Sequence, residues 1–583
     1  MSNIITVNKF LMDKMFSIPT YQRDYAWTIT QVDDLMSDIH DALVEKSTHY
    51  LGTLVLACIR NQSFEIVDGQ QRLSTLTLVI RALLNELDPN GRYRIVNEDN
   101  LLGAKPNLRL DFGKNQGFVD DMFSGKQAIP ATLGQRKLLK AFNFATERAR
   151  NLKRQDQDGE RLVKEWIDTI KSLEIIEFVA TDTGRAIRMF QTVNDRGVPL
   201  TYIDKAKALL VYFSNRYLNG KLDSKISDAF GQCFSAFDSL KEFVSKTGYR
   251  IDNIARDTFT EDDILRYHYL AYHNDDALNV TDYDGTVRTV VFEGFLKGTL
   301  KSLCQQPIKL ESFINDYVDD LSQFAQAFEG LITGAEKNSR LYKVFIVLGL
   351  SARLYPLVIR LFQRDLLFHA TAQNNGIDLL HCIEVCDVRI YKTRGTDPAK
   401  DIGSISHGSQ KSCSNDIAQR INEFTKRFMP DSIFQNSLSQ DMYHNGALLH
   451  ILLWHDEQVA NCEYSLEKIF DMTVNQMTRE HILSQTPNWS VCEQGFLDDA
   501  DFESHLHTIG NLTLLSGSEN SKCQNQPAYT KMTPGFYGSS IYAATRQLAH
   551  KYGPTSEQFD KDALINRTND IVAAVMNRWA ICN

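Results

Sequence analysis

Residues 64 to 87 read FEIVDGQQRLSTLTLVIRALLNEL: an apolar run, five polar or flexible residues, then apolar residues at 73, 76, 80, 83, 84 and 87. Those later positions fall on one helical face. The pattern predicts a strand that ends at Asp68-Gly69 and a helix whose first turn holds Gln70, Gln71 and Arg72. Two further β-like runs, YLGTLVLACI and LEIIEFVA, make residues 1–215 an α/β or α+β module. Residues 216–430 carry mostly helical periodicity, as in ESFINDYVDDLSQFAQAFEGLI, and read as a helical connector. In residues 431–583, helices flank a strand-like segment, IGNLTLLS, and a cluster of His and Asn residues. The expected fold is multidomain α+β and mostly helical.

Composition narrows the class. With 583 residues, 43% hydrophobic and 23% charged, the chain is an ordinary globular protein large enough for several domains. The most apolar segment, KVFIVLGLSARLYPLVIRLF, is interrupted by Arg353, Pro356 and Arg360, so it predicts a buried helix pair and no membrane span. The N-terminus lacks a secretory pattern, and the expected location is cytoplasmic. Ten cysteines form no C-x-x-C pair and read as buried free thiols; Cys382 and Cys386 beside His381 would be only half a metal site. The net charge of −10 argues against coating nucleic acid by bulk attraction, so any DNA contact must be local. Arg136, Lys137, Lys140, Arg148, Arg150, Lys153 and Arg154 could neutralise several phosphates if gathered on one face; a solvated helical surface is the alternative.

The polar knot at Asp68 to Arg72 opens a helix, where free N–H groups and the helix dipole favour an anion such as phosphate. Arg72 could clamp it, Gln70 and Gln71 could bond a phosphate, base or ribose edge, and Asp68 could hold a metal or orient a donor. Otherwise Asp68 only caps the helix, with Arg72 paired to it. Two more knots interrupt apolar patterns: FSIPTYQRDYAW, with Gln22 and Arg23 among aromatics, and RMFQTVNDRGVPLT, with Asn194 and Arg196 in a turn. Three arginine-bearing knots in one module favour an anionic ligand. Tyr21, Tyr25 and Trp27 could stack a base or fill the core.

In the last third, TREHILSQTPNW places Glu480 beside His481, and HTIGNLTLLSGSENSKCQNQ supplies Asn511, Asn520 and Asn525. The spacing suits a strand, a loop, a second strand and a helix. Phosphodiester hydrolysis needs a base to activate water, a role for His481, and a cation to neutralise growing charge. Glu480 and Asn520 offer the oxygen donors that Mg²⁺ prefers, and Asn511 could bond the other ring nitrogen of His481. Glu480 and His481 can share a site only if the strand ends or bends there, since neighbouring strand residues point to opposite faces. His505 and His507 read as structural or supporting, and Lys522 and Lys531 as candidates for DNA backbone contact.

The motifs IPTYQRDYAW, IVDGQQRLSTL and FQTVNDRGVPL resemble those of the N-terminal domain of GmrSD-type, modification-dependent (Type IV) restriction proteins, and EHIL, IGNLTLL and SENSKCQN resemble their C-terminal HNH (His-Me finger) nuclease domain. The resemblance implies a ParB/sulfiredoxin-like core that binds and hydrolyses a nucleoside triphosphate through Asp68, Gly69, Gln70, Gln71 and Arg72, with Asn194 and Arg196 as partners. It also implies sensing of modified double-stranded DNA, to which we assign Tyr21, Gln22 and Arg23. In the C-terminal ββα-metal fold it makes His481 the general base, Glu480 and Asn520 the ligands of Mg²⁺ or another divalent cation, and Asn511 the residue that orients the base, with no structural zinc. The expected function is nucleotide-regulated restriction of modified phage DNA, with homo-oligomerisation left open. The alternatives are an abortive-infection effector that nicks DNA broadly once triggered, and a DNA-binding protein with an inactive HNH domain.

Overall fold

The computed structural model describes residues 3–19, 24–60, 62–87, 101–103, 108–155, 160–180, 201–272, 287–370, 376–487, 489–554 and 556–581. Tyr21, Gln22, Arg23, Asn194 and Arg196 lie outside them. The chain divides into two compact units, Met1–Ser239 with Val287–Ser322, and Leu240–Thr286 with Gln323–Asn583. Segment 216–430 is shared between them. The architecture is multidomain α+β and mostly helical.

The first unit is built on a six-stranded mixed sheet of β1 (Asn3–Thr6), β2 (Met15–Ser17), β3 (Tyr50–Arg60), β4 (Ser63–Asp68), β5 (Leu110–Asp111) and β6 (Glu174–Ala180), in the order β1-β6-β3-β4-β2-β5. The runs YLGTLVLACI, FEIV and LEIIEFVA supply β3, β4 and β6; β1, β2 and β5 are too short to show a period. β3 pairs antiparallel with β4 and parallel with β6. The polar knot is the turn from β4 into the helix Gln70–Leu87, with Gly69 at φ +90°, a value open to glycine without the Cβ penalty.

That helix is buried on nearly all sides, more than its apolar stripe predicts. Thr75 and Thr77 donate to the carbonyls of Gln71 and Leu73, and fully buried Arg81 donates to the Phe123 carbonyl while lying over the Phe123 ring. Helix Leu133–Gln155, which carries the basic run, packs beside it. The run does not form one free basic face. Arg148 pairs with Asp33, Arg150 with Glu86 and Lys137 with Asp238, and Lys153 donates to the Glu86 carbonyl. Local pairing answers much of its charge.

Among the described residues the second unit is helical apart from one hairpin, β7 (Thr478–His481) antiparallel to β8 (Leu512–Leu515), and a single bridge between Ala370 and Asp378. Helix Gly517–Cys523 follows, completing the ββα order that the motif spacing predicts. The C-terminal helix Lys561–Arg578 is tied to helix Leu379–Cys386 by Glu384, which accepts from Trp579 and bonds His450 and His381. Burial raises the Glu384 pKa, yet the two histidine bonds hold it well below its ordinary value. The segment KVFIVLGLSARLYPLVIRLF is largely buried here, Arg360 included. No described helix is long and apolar enough to cross a membrane. The nine described cysteines are free, but only Cys233, Cys382, Cys386 and Cys523 are buried; Cys413, Cys462 and Cys492 are exposed, contrary to the buried-thiol expectation.

Candidate active site

In the first unit the knot residues face two ways. Gln70 and Gln71 line a cleft with Asp24, Tyr25, Lys114 and Asn115. Gln71 accepts from the Ala26 N–H at 2.9 Å and donates to the Asp24 carbonyl at 3.2 Å, so it ties Asp24 and Ala26 to the first helical turn. Asp24 accepts from Asn115 at 2.5 Å and from Thr132 at 3.2 Å. Arg72 points elsewhere: it lines an apolar recess with Phe10, Leu51 and Leu76 and donates to the Leu51 carbonyl at 3.1 Å. Asp68 accepts from the Gly69 N–H at 2.7 Å, and burial raises its pKa against the opposing charge of Arg72. Tyr25 fills the core, its hydroxyl bonded to Thr75 at 2.7 Å and pushed up to about 12 by burial. Asp24, Lys114 and Asn115 belong to this cleft and were not singled out by pattern. Asp24 had a signal, as a carboxylate set among the aromatics of YQRDYAW.

In the second unit the hairpin separates the predicted residues. Strand alternation sends Thr478 and Glu480 to one face and Arg479 and His481 to the other. Glu480 is 6% exposed and its Oε1 sits 2.6 Å from the ammonium of Lys531, with the Tyr537 hydroxyl donating to the same oxygen at 3.4 Å. Burial raises the Glu480 pKa, and Lys531 opposes that rise. Lys531 is itself fully buried and also donates to the His481 carbonyl at 2.7 Å, so the expectation that it meets DNA at the surface is corrected. Its stem fills core and its charge answers Glu480. Asn520 donates through Nδ2 to Thr478 Oγ1 at 3.0 Å, which puts it on the Glu480 side with its Oδ1 turned to no described partner. Lys522 and Asn525 are exposed.

His481, at the end of β7, is 4% exposed and has both ring nitrogens bonded: Nδ1 to the Gln485 amide nitrogen at 2.9 Å and Nε2 to His507 Nδ1 at 3.0 Å. Tyr443 lies against it, tilted by 34° with 4.5 Å between centroids, and the Arg479 guanidinium covers the Tyr443 ring at 4.4 Å. Burial, aided by the charges of Lys531 and Arg479, pushes the imidazole down to about 3. It is therefore neutral, the form that accepts a proton, though weakly basic.

The expected bond from Asn511 to this ring is absent. Asn511 is fully buried and spends its amide on backbone, accepting from the Leu483 N–H at 2.8 Å and donating to the carbonyls of Leu483 and Leu506. It clamps the turn that follows His481 onto the start of β8. The C-terminal helix clamps the same point: Arg567 donates to the carbonyls of Ile509, Gly510 and Leu512, and burial lowers its pKa to about 10. Gly510 lies so close that a Cβ would stand 2.1 Å from Thr568 Oγ1 and 2.4 Å from the Leu564 carbonyl oxygen. Gly510→Ala is expected to destabilise the unit by about 1–3 kcal/mol or more, as forced overpacking does. Calorimetric melting checks this, and an unchanged melt would refute the close packing. His507, Gln485, Tyr443 and Lys531 thus complete the surroundings of His481 and Glu480. Among the described residues no three His, Cys, Asp or Glu side chains form a ready metal cluster.

Taken one by one, the two units define a protein that joins a mixed α/β module to a ββα module bearing a neutral histidine. Residues 5–211 match the GmrSD restriction endonuclease, N-terminal domain, and residues 428–574 match the GmrSD restriction endonucleases, C-terminal domain. The chain belongs to this family: it is a GmrSD-like Type IV restriction endonuclease of defence, and DNA is its substrate. A search of curated proteins returned no match.

Proposed function

We propose that the chain is a nucleotide-regulated, Mg²⁺-dependent endonuclease that restricts modified phage DNA, its nuclease centre being the HNH-type hairpin around His481. The observation that carries this reading is a buried histidine at the end of the first strand of a ββα unit, with the turn after it clamped by Asn511 and the start of the second strand by Arg567. His481 would take the proton of the attacking water, and the negative charge of an approaching phosphodiester would raise its basicity.

Glu480 and Asn520 fit a hard cation in donor chemistry, because both offer oxygen on one face of the hairpin. Such a cation, when bound, neutralises charge on the phosphate and leaving oxygen. Lys531 pairs with the same carboxylate at 2.6 Å.

In the first unit, Asp68, Gly69, Gln70, Gln71 and Arg72, with Asn194 and Arg196, would bind and hydrolyse a nucleoside triphosphate, and Tyr21, Gln22 and Arg23 would inspect DNA. The cleft of Gln70, Gln71, Asp24 and Asn115 at the start of a helix supports a polar ligand there. The test is nucleotide turnover and DNA cleavage by the whole protein with Mg²⁺ or with chelator. Gln71→Ala, which removes the tie between the cleft and Asp24 and Ala26, is expected to lower turnover, whereas Arg72→Ala, whose side chain lies outside the cleft on the Leu51 carbonyl, is expected to cost stability; cutting that is indifferent to both nucleotide and chelator would sink the reading.

A further inference from the structure

The bonds around His481 identify a residue that the motifs leave unassigned. An amide nitrogen can only donate, so Gln485 Nε2 gives its hydrogen to Nδ1 of His481. A neutral imidazole carries one ring proton, which must then sit on Nε2 and be donated to His507 Nδ1, 3.0 Å away. His507 is held for this: the Met442 N–H donates to its carbonyl at 2.8 Å, and Tyr443 stacks on its ring at 5.3 Å and 27°. Gln485 is exposed and His507 is half-buried. The lone pair on Nδ1 is therefore one exposed side chain away from solvent.

We propose that His507 is the positioning residue of the nuclease centre: by accepting the hydrogen of Nε2 it fixes the tautomer of His481 and makes Nδ1 the atom that takes the proton from water. Gln485 covers that atom in the resting protein and must leave it before water can be activated. The motif pattern gives the orienting role to Asn511, but the amide of Asn511 is bound to backbone. The proposal rests on the reading of His481 as the base, and its test separates the two.

The full-length protein, labelled with ¹⁵N in the histidine rings, reports which nitrogen of His481 carries the proton; His481→Gln identifies the resonance. The expected signature is a proton on Nε2 in the wild type and in His507→Asn, whose Oδ1 replaces the Nδ1 acceptor, and its loss or mixing in His507→Phe. In cleavage of the modified phage DNA that the wild type cuts, with Mg²⁺ and nucleotide present, His507→Phe is expected to lower kcat by roughly 10- to 100-fold with KM unchanged, the scale for losing a partner that orients a functional histidine. His507→Asn should restore it. A proton on Nδ1 in the wild type, an unchanged tautomer in His507→Phe, or no rescue by His507→Asn overturns the proposal. If His481→Gln still cuts, the base reading fails instead, and the ring spectra judge the role of His507 without reference to cutting.

Discussion

His481→Ala is expected to lower DNA cleavage by roughly 10²–10⁴-fold, the usual contribution of a positioned general base. The imidazole stands at the end of β7, and the glutamate next to it is committed to the other face, where Lys531 holds it. Glu480 therefore cannot substitute for it. The alanine variant also loses the contacts to Gln485, His507 and Tyr443, so its melting and its affinity for DNA must be measured alongside. Lost cutting with retained folding and binding supports the assignment. A variant that folds, binds and cuts like the wild type removes His481 from the chemistry.

Lys531→Met is expected to destabilise the second unit by about 3–5 kcal/mol, because it leaves the buried Glu480 carboxylate without its counter-charge. The pair is short, 2.6 Å, and both side chains are almost wholly removed from water. Lys531 also anchors the His481 carbonyl, so the loss should reach the hairpin itself. Removing both charges in Glu480→Leu with Lys531→Met should recover most of the stability, since a buried ion pair replaced by apolar groups of similar volume is often neutral or better. Calorimetry of the single and double variants decides: a single variant as stable as the wild type would mean that the ion pair does not hold this face together.

These expectations show where pattern reading reached and where it stopped. The strands β3, β4 and β6 and the helix Gln70–Leu87 were legible because each is long enough to display a period. The order strand, strand, helix around His481 was legible from motif spacing. The strands β1, β2 and β5 were not, since pairing with neighbours creates them and a run of two to four residues has no period of its own.

The burial of Arg81 and Lys531 was missed for a different reason. Charged side chains are read as exposed by default, and only the fold shows that Phe123 and Glu480 wait for them. His507 and Tyr443 meet His481 through tertiary contacts that no local spacing encodes. Asn511 was found as a residue of the site, but the partner of its amide was not, because backbone acceptors leave no mark in sequence. The division of Glu480 from His481 was, by contrast, foreseeable from strand alternation, and the structure realises it.

The most direct test is cleavage of matched DNAs, unmodified or carrying hydroxymethylcytosine, glucosylated hydroxymethylcytosine or phosphorothioate linkages, by wild-type protein and His481→Ala with Mg²⁺ and a nucleotide panel. Cutting confined to a modified DNA, dependent on nucleotide and lost in His481→Ala, is the outcome this account predicts. DNA that is bound but never cut by the wild type, or is cut equally by His481→Ala, would contradict it.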